Sequence, residues 1–150
     1  MSTRRSYAIV ASEYNPELVQ ELVNSAASEL NSQSTGATVV LYQVPGAFEI
    51  PIVVQELART QVYSAIIALG VIIYGKTDHG RLISETVTDH LMRISLENKI
   101  PVIHEVITAP DETTAQARVG KEYDRGAEAA RAAVEMAQLL NDIARREVSR

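Results

Sequence analysis

From Ser64 to Ile73 the chain reads SAIIALGVII, a run without a single charged side chain. A surface element needs a wet face, and this run has none. It is expected to be a strand buried on both faces, and such strands belong to parallel sheets covered by helices on either side. The segments around it supply those partners. YAIVAS, Tyr7 to Ser12, is short and apolar and reads as a first strand. Asn15 followed by Pro16 is a helix start, a capping residue type and then a proline whose fixed φ suits the first turn. Leu18, Leu22, Ala26 and Leu30 recur every fourth residue beside Val19, Val23 and Ala27, which gives an amphipathic helix. ATVVLYQV, Ala37 to Val44, is a second strand, ended by Pro45 and Gly46. Pro51 fits only the first turn of a helix, so a helix is expected from about Pro51 to Arg59.

Beyond the apolar run, LISETVTDHLMRISLENK places Ile83, Val87, Leu91 and Ile94 on one helical face. IPVIHEVIT is the fourth strand, and DETTAQARVG a short helix opened by Asp111 and closed near Gly120. In DRGAEAARAAVEMAQLLNDIARR the residues Glu128, Arg131, Glu135, Gln138 and Asp142 form a wet face, with Arg131 and Glu135 one turn apart as a pair. Ala130, Ala133, Ala137, Leu140 and Ala144 lie opposite. The order is β-α-β-α-β-α-β-α-α. It implies one three-layer α/β domain over residues 1–150, a four-stranded parallel sheet joined by right-handed crossovers.

Composition narrows the function. A net charge of −5 argues against nucleic acid as a partner. The absence of cysteine excludes disulfides, thiolate nucleophiles and cysteine-based metal sites. No window has the length and apolarity of a membrane span, and MSTRRSYAIV lacks the apolar core of a signal peptide, so a soluble cytoplasmic protein is expected.

Open parallel sheets bind ligands outside the carboxyl ends of their strands. Behind the first strand stand Ser12, Glu13, Tyr14 and Asn15. Behind the second stand Ala47, Phe48 and Glu49, behind the third Tyr74, Gly75, Lys76, Thr77, Asp78 and His79, and behind the fourth Thr108, Ala109 and Pro110. Gly75-Lys76-Thr77 reads either as an anion-binding turn with Lys76 as counter-charge or as an exposed turn. Histidine ordinarily titrates near neutrality and can move protons. On the residues alone, His79 reads as a surface loop histidine before a proton carrier, and Tyr14 and Phe48 as ordinary packing before walls for a planar ring. Arg118 fits the carbonyl end of its short helix on dipole grounds alone, and His90 a solvated helix position.

Together these blocks resemble the lumazine synthase family. VPGAFEIP, Val44 to Pro51, followed by ALGVIIYGKTDH, Ala68 to His79, is similar to the most specific part of the family pattern. SEYN, PVIHEVIT and the QARVG…RGAEAARAAVEMAQLL stretch are similar to further blocks, in the same order along nearly the whole chain. The resemblance implies a flavodoxin-like fold and condensation of 5-amino-6-(D-ribitylamino)uracil with 3,4-dihydroxy-2-butanone 4-phosphate to 6,7-dimethyl-8-ribityllumazine, with no metal or organic cofactor. It implies a homo-oligomer, a pentamer or a multiple of pentamers, with active sites between subunits.

By position it makes Tyr14 the ring that stacks on the pyrimidine. Ala47, Phe48 and Glu49 hold the ribityl chain and ring, and Val71, Ile72 and Ile73 offer backbone groups to the pyrimidine. Lys76, Thr77 and Arg118 receive the phosphate, His79 transfers protons, and His104 covers the base from the adjacent subunit. The chain departs from the pattern at Tyr74, Lys76, His104 and in HGRLISET after His79, where Arg81 replaces an acidic residue. Lys76 and Arg81 are read as added positive charge near the phosphate. The alternative implied by these departures is a relative that binds flavin or lumazine, or forms a shell, without catalysis.

Overall fold

The computed structural model describes residues 5–148; residues 1–4, part of the N-terminal stretch discussed above, lie outside it. The element order is β1 (Ser6–Ser12), α1 (Pro16–Gln33), β2 (Thr38–Val44), a 3₁₀ turn (Ala47–Glu49), α2 (Ile50–Arg59), β3 (Ala65–Ile73), α3 (His79–Asn98), β4 (Val102–Ala109), α4 (Glu112–Val119) and α5 (Arg125–Val148). The four strands form one parallel sheet in the order β2-β1-β3-β4. No helix among the described residues is long and apolar enough to cross a membrane.

β3 is the strand expected from the apolar run. It pairs with β1 along one edge and β4 along the other, and its residues from Ala65 to Ile72 are buried. Alternate side chains feed two separate cores. Ile67, Leu69 and Val71 pack with Leu22, Ala26 and Leu30 of α1 and Ala130 and Ala133 of α5. Ile66, Ala68 and Ile72 pack with Val54 and Ala58 of α2 and Val87 and Leu91 of α3. At ~25 cal/mol per Å² of apolar surface, a strand covered on both faces gains from every side chain it carries.

Local sequence accounts for most of the ends. Asp111 caps α4 as expected, its carboxylate accepting from the Thr114 N–H at 2.7 Å. That bond holds the Asp111 carboxyl below its ordinary range. Pro16 and Pro51 both sit in first turns. The structure differs from the expected pattern in α5. Arg131 does not pair with Glu135; it reaches across to Glu29 of α1, 3.4 Å away. An arginine placed before its acid is the weaker i,i+4 orientation, and the neighbouring helix supplies a carboxylate at hand. Leu140 and Ala144 are exposed rather than covered.

The α1–α5 contact rests on Gly126. A Cβ there would lie 2.5 Å from the Leu22 carbonyl oxygen and 3.0 Å from Ser25 Cβ. Beside this contact, Glu105 on edge strand β4 is half-buried. Burial pushes its carboxyl from 4.5 up to about 7, helped by the Glu128 carboxylate and opposed by the Arg125 guanidinium.

Two outcomes are expected. Gly126→Ala destabilises the fold by about 1–3 kcal/mol despite alanine's better helix propensity, because the clash is with backbone; urea unfolding measures it. Glu105 is protonated in the folded protein at pH values where the unfolded chain has released the proton. Its contribution is therefore complete below pH 4.5 and disappears as the pH rises through about 7. Between pH 5 and pH 8 the urea midpoint of Glu105→Gln falls less than that of the unsubstituted protein.

Candidate active site

At the carboxyl ends of β1, β2 and β3 the loops enclose a cleft of about 650 Å³. Tyr14 and Asn15 enter from the β1–α1 loop. Ala47, Phe48 and Glu49 come from the 3₁₀ turn after β2, and Val71, Ile72 and Ile73 from the end of β3. Thr77 and His79 close it from the β3–α3 segment. The walls are apolar and the polar groups few, as expected of a pocket for an organic substrate. Tyr14 is 74% exposed and Phe48 60%, so both rings stand free in one chain. Gly46 lies between the Tyr14 ring and the Glu49 carboxylate: a Cβ there would sit 3.2 Å from Glu49 Oε1 and 3.9 Å from the Tyr14 ring.

His79 is the first residue of α3, three residues earlier than the expected helix at Leu82. Gly80 is the second residue of that helix. In the structure it is what lets the first turn press on the end of β3, since a Cβ at Gly80 would lie 2.6 Å from Tyr74 Cβ and 2.8 Å from Tyr74 Cα. The imidazole is exposed at the cleft margin. Gly75 holds the turn with φ of 55°, the left-handed region that glycine adopts at no steric cost.

A second hollow of about 490 Å³ adjoins the first and shares Tyr74 and Thr77 with it. Lys76, Asp78, Arg81, Glu85 and Thr108 line it. Lys76 is exposed and makes no ion pair among the described residues. Arg81 does not add free positive charge here, contrary to the sequence reading. Its guanidinium lies 2.9 Å from Glu85 and 3.7 Å from Asp78. Glu85 first and then Asp78 raise its pKa. One helical turn brings residues 81 and 85 together, so the Glu85 carboxylate serves Arg81. Arg118 stands in the last turn of α4 and lines neither hollow, but its guanidinium donates to the carbonyl of Thr108, a residue that lines this one. That bond uses part of a five-donor fork and leaves the rest available.

His104 is not brought into the cleft of this chain. It sits on edge strand β4 facing α3, where Nδ1 accepts from the Val106 N–H at 3.2 Å and Nε2 meets Thr88 Oγ1 at 2.7 Å. Burial pushes its pKa down, which suits a neutral ring in this position. His90 is exposed on α3, with Nδ1 bonded to the Thr86 carbonyl at 2.9 Å.

Asn15, placed at the strand ends by the sequence but given no role in binding, lines the cleft. It was expected to cap α1 with its side chain, and it does not. Nδ2 instead donates to the Val71 carbonyl at 2.8 Å, inside the cleft. The signal available in the sequence, Asn before Pro, is the same for both uses.

A parallel α/β sandwich with an apolar, aromatic-walled cleft at its strand ends, a histidine at the rim and a lysine beside it defines an enzyme of the flavodoxin-like class acting on a small organic substrate. Within that class the particular family follows from comparison with known proteins. The model of the 6,7-dimethyl-8-ribityllumazine synthase family matches residues 4–141, and the chain belongs to that family. Relatives named 6,7-dimethyl-8-ribityllumazine synthase include one from Nitrosospira multiformis, 40% identical over 89% of this chain and 82% of its own length. Another, from Pyrococcus furiosus, is 39% identical over 91% and 85%. A third, from Thermococcus kodakarensis, is 36% identical over 93% and 88%.

Proposed function

We propose that this protein condenses 5-amino-6-(D-ribitylamino)uracil with 3,4-dihydroxy-2-butanone 4-phosphate to 6,7-dimethyl-8-ribityllumazine, releasing phosphate and water. Family membership supports the reaction. The observation that carries it in this chain is the cleft itself, which gathers Tyr14, Glu49 and His79 beside a loop bearing Lys76, which makes no ion pair among the described residues.

The roles follow from position. Tyr14 stacks on the pyrimidine from one side of the cleft. Phe48 and Ala47 flank the ribityl chain, and the Glu49 carboxylate accepts hydrogen bonds from its hydroxyls. Backbone groups of Val71, Ile72 and Ile73 meet the polar edge of the pyrimidine. Lys76, Thr77 and the free donors of Arg118 receive the phosphate. The first-turn amides of α3, which have no intrahelical acceptors, favour the same anion. The 5-amino group of the pyrimidine attacks the ketone carbonyl, water departs, and an imine forms. Loss of phosphate and ring closure with a second loss of water complete the product. Each step moves a proton, and His79 at the cleft margin transfers it.

In one chain the cleft is open on the side of Tyr14 and Phe48, and Ile52, Leu82, Met92 and Leu96 are exposed around α2 and α3. Exposed apolar surface of this kind marks an interface. It supports a homo-oligomer, and the family resemblance implies a pentamer or a multiple of it, with His104 of a neighbouring subunit closing over the base. Its place of action is the cytoplasm.

Purified protein given both substrates is expected to produce the lumazine, read by its absorbance, and one phosphate per turnover. Product no faster than the uncatalysed background overturns the proposal, even where the lumazine binds. His79→Ala lowers kcat by about a hundredfold with little change in KM, the usual effect of removing a general acid–base group. Light scattering gives a mass that is a multiple of five chains; a monomer or dimer in solution refutes the assembly.

A further inference from the structure

We infer that Asn15 is a positioning residue, whose side chain takes the place of the missing end of β1 and so fixes where Tyr14 presents its ring. The inference rests on the reading that Tyr14 stacks on the pyrimidine.

The geometry begins in the sheet. β1 and β3 pair from Tyr7–Ala65 to Ala11–Leu69, and β3 runs on alone on that side to Ile73. Ile66 and Tyr74 direct their N–H groups to β4, onto the carbonyls of Pro101 and Ala109. Backbone polar groups alternate in direction along a strand, so the carbonyl of Val71 faces the β1 side, beyond the last β1–β3 pair. A buried carbonyl left without a donor there would cost free energy. Asn15 supplies the donor, its Nδ2 at 2.8 Å.

To do so Asn15 adopts φ 56° and ψ 58°, a left-handed conformation that asparagine tolerates better than most residues. Its side chain gives up the capping bond to α1, while its backbone carbonyl still accepts from the Val19 N–H at 3.1 Å. On the other side of Tyr14, the Glu13 N–H donates to the Val44 carbonyl at 2.8 Å. The loop of Glu13, Tyr14 and Asn15 is thus bonded to the end of β2 before the tyrosine and to the end of β3 after it. Tyr14 lies between these two anchors with its ring exposed. Its backbone is fixed and its ring is free to meet a ligand, which lowers the ordering cost of stacking.

The test is a double-mutant cycle on the full-length protein. Asn15→Gly keeps the left-handed backbone and removes the amide. Asn15→Asp keeps the shape and sets a carboxylate oxygen against the Val71 carbonyl. Both are expected to raise KM for the ribitylaminouracil about threefold to tenfold, as loss of one hydrogen bond would. KM for the butanone phosphate stays unchanged. In a Tyr14→Ala background, which itself raises KM for the uracil, the Asn15 substitutions have no further effect. Equilibrium binding of 6,7-dimethyl-8-ribityllumazine shows the same pattern without turnover, and circular dichroism identifies any variant that fails to fold.

Should Asn15→Gly and Asn15→Asp both fold and leave KM unchanged while Tyr14→Ala raises it, the positioning role is refuted and the stacking role stands. An Asn15 effect of equal size with and without Tyr14 also refutes it, because asparagine then acts on the ligand or the fold directly. An unchanged KM in Tyr14→Ala alone overturns the stacking reading and the positioning role with it.

Discussion

β3 is paired on both edges and covered on both faces, and every other element is placed by that. Its alternate side chains seed two cores, one under α1, α4 and α5 and one under α2 and α3. Because its hydrogen bonds are satisfied within the sheet as far as β1 and β4 extend, burial adds apolar contact at little polar cost. β3 also outruns β1. Where pairing on that side stops, the backbone becomes available to side chains and ligands, and the cleft opens there. The same strand that anchors the core therefore fixes the position of the chemistry.

The chemistry itself depends on how neighbouring segments meet that strand end. The pressure of Gly80 against Tyr74 brings His79 to the rim, and the Gly75 turn leads the chain there. Lys76 faces the adjoining hollow without an ionic partner among the described residues, while Arg81 is engaged by Asp78 and Glu85. An exposed pair of this kind is worth little to stability. Its consequence is local: of two cations in that hollow, one is already answered by carboxylates. The phosphate-binding character proposed for the site then falls on Lys76, on the helix amides and on the unused donors of Arg118.

Much of this was legible in the sequence for physical reasons. Helix period, strand length and the uninterrupted apolar run constrain element type, because each reports which faces are buried. Strand ends could be placed, and with them Tyr14, Ala47, Phe48, Glu49, Thr77 and His79, since their loops must meet at one edge of a parallel sheet. Two of the misreadings share one origin. Arg131 turns to Glu29 of another helix rather than to Glu135 on its own. Asn15 bonds to Val71, distant along the chain, rather than capping the helix it precedes. In each case local sequence offers a partner one turn away, and the fold brings up a better one from elsewhere.

What the sequence by itself determined is the class of fold, the order of its elements, the edge at which the cleft opens and the residue types gathered there. Those follow from periodicity and covalent order, which are local. The tertiary structure alone decided that Asn15 completes the sheet where β1 ends, that Arg131 meets Glu29 of another helix, and that His104 lies on an edge strand against Thr88. Those depend on distances between segments far apart in the chain, and such distances exist only once the two cores have closed around β3.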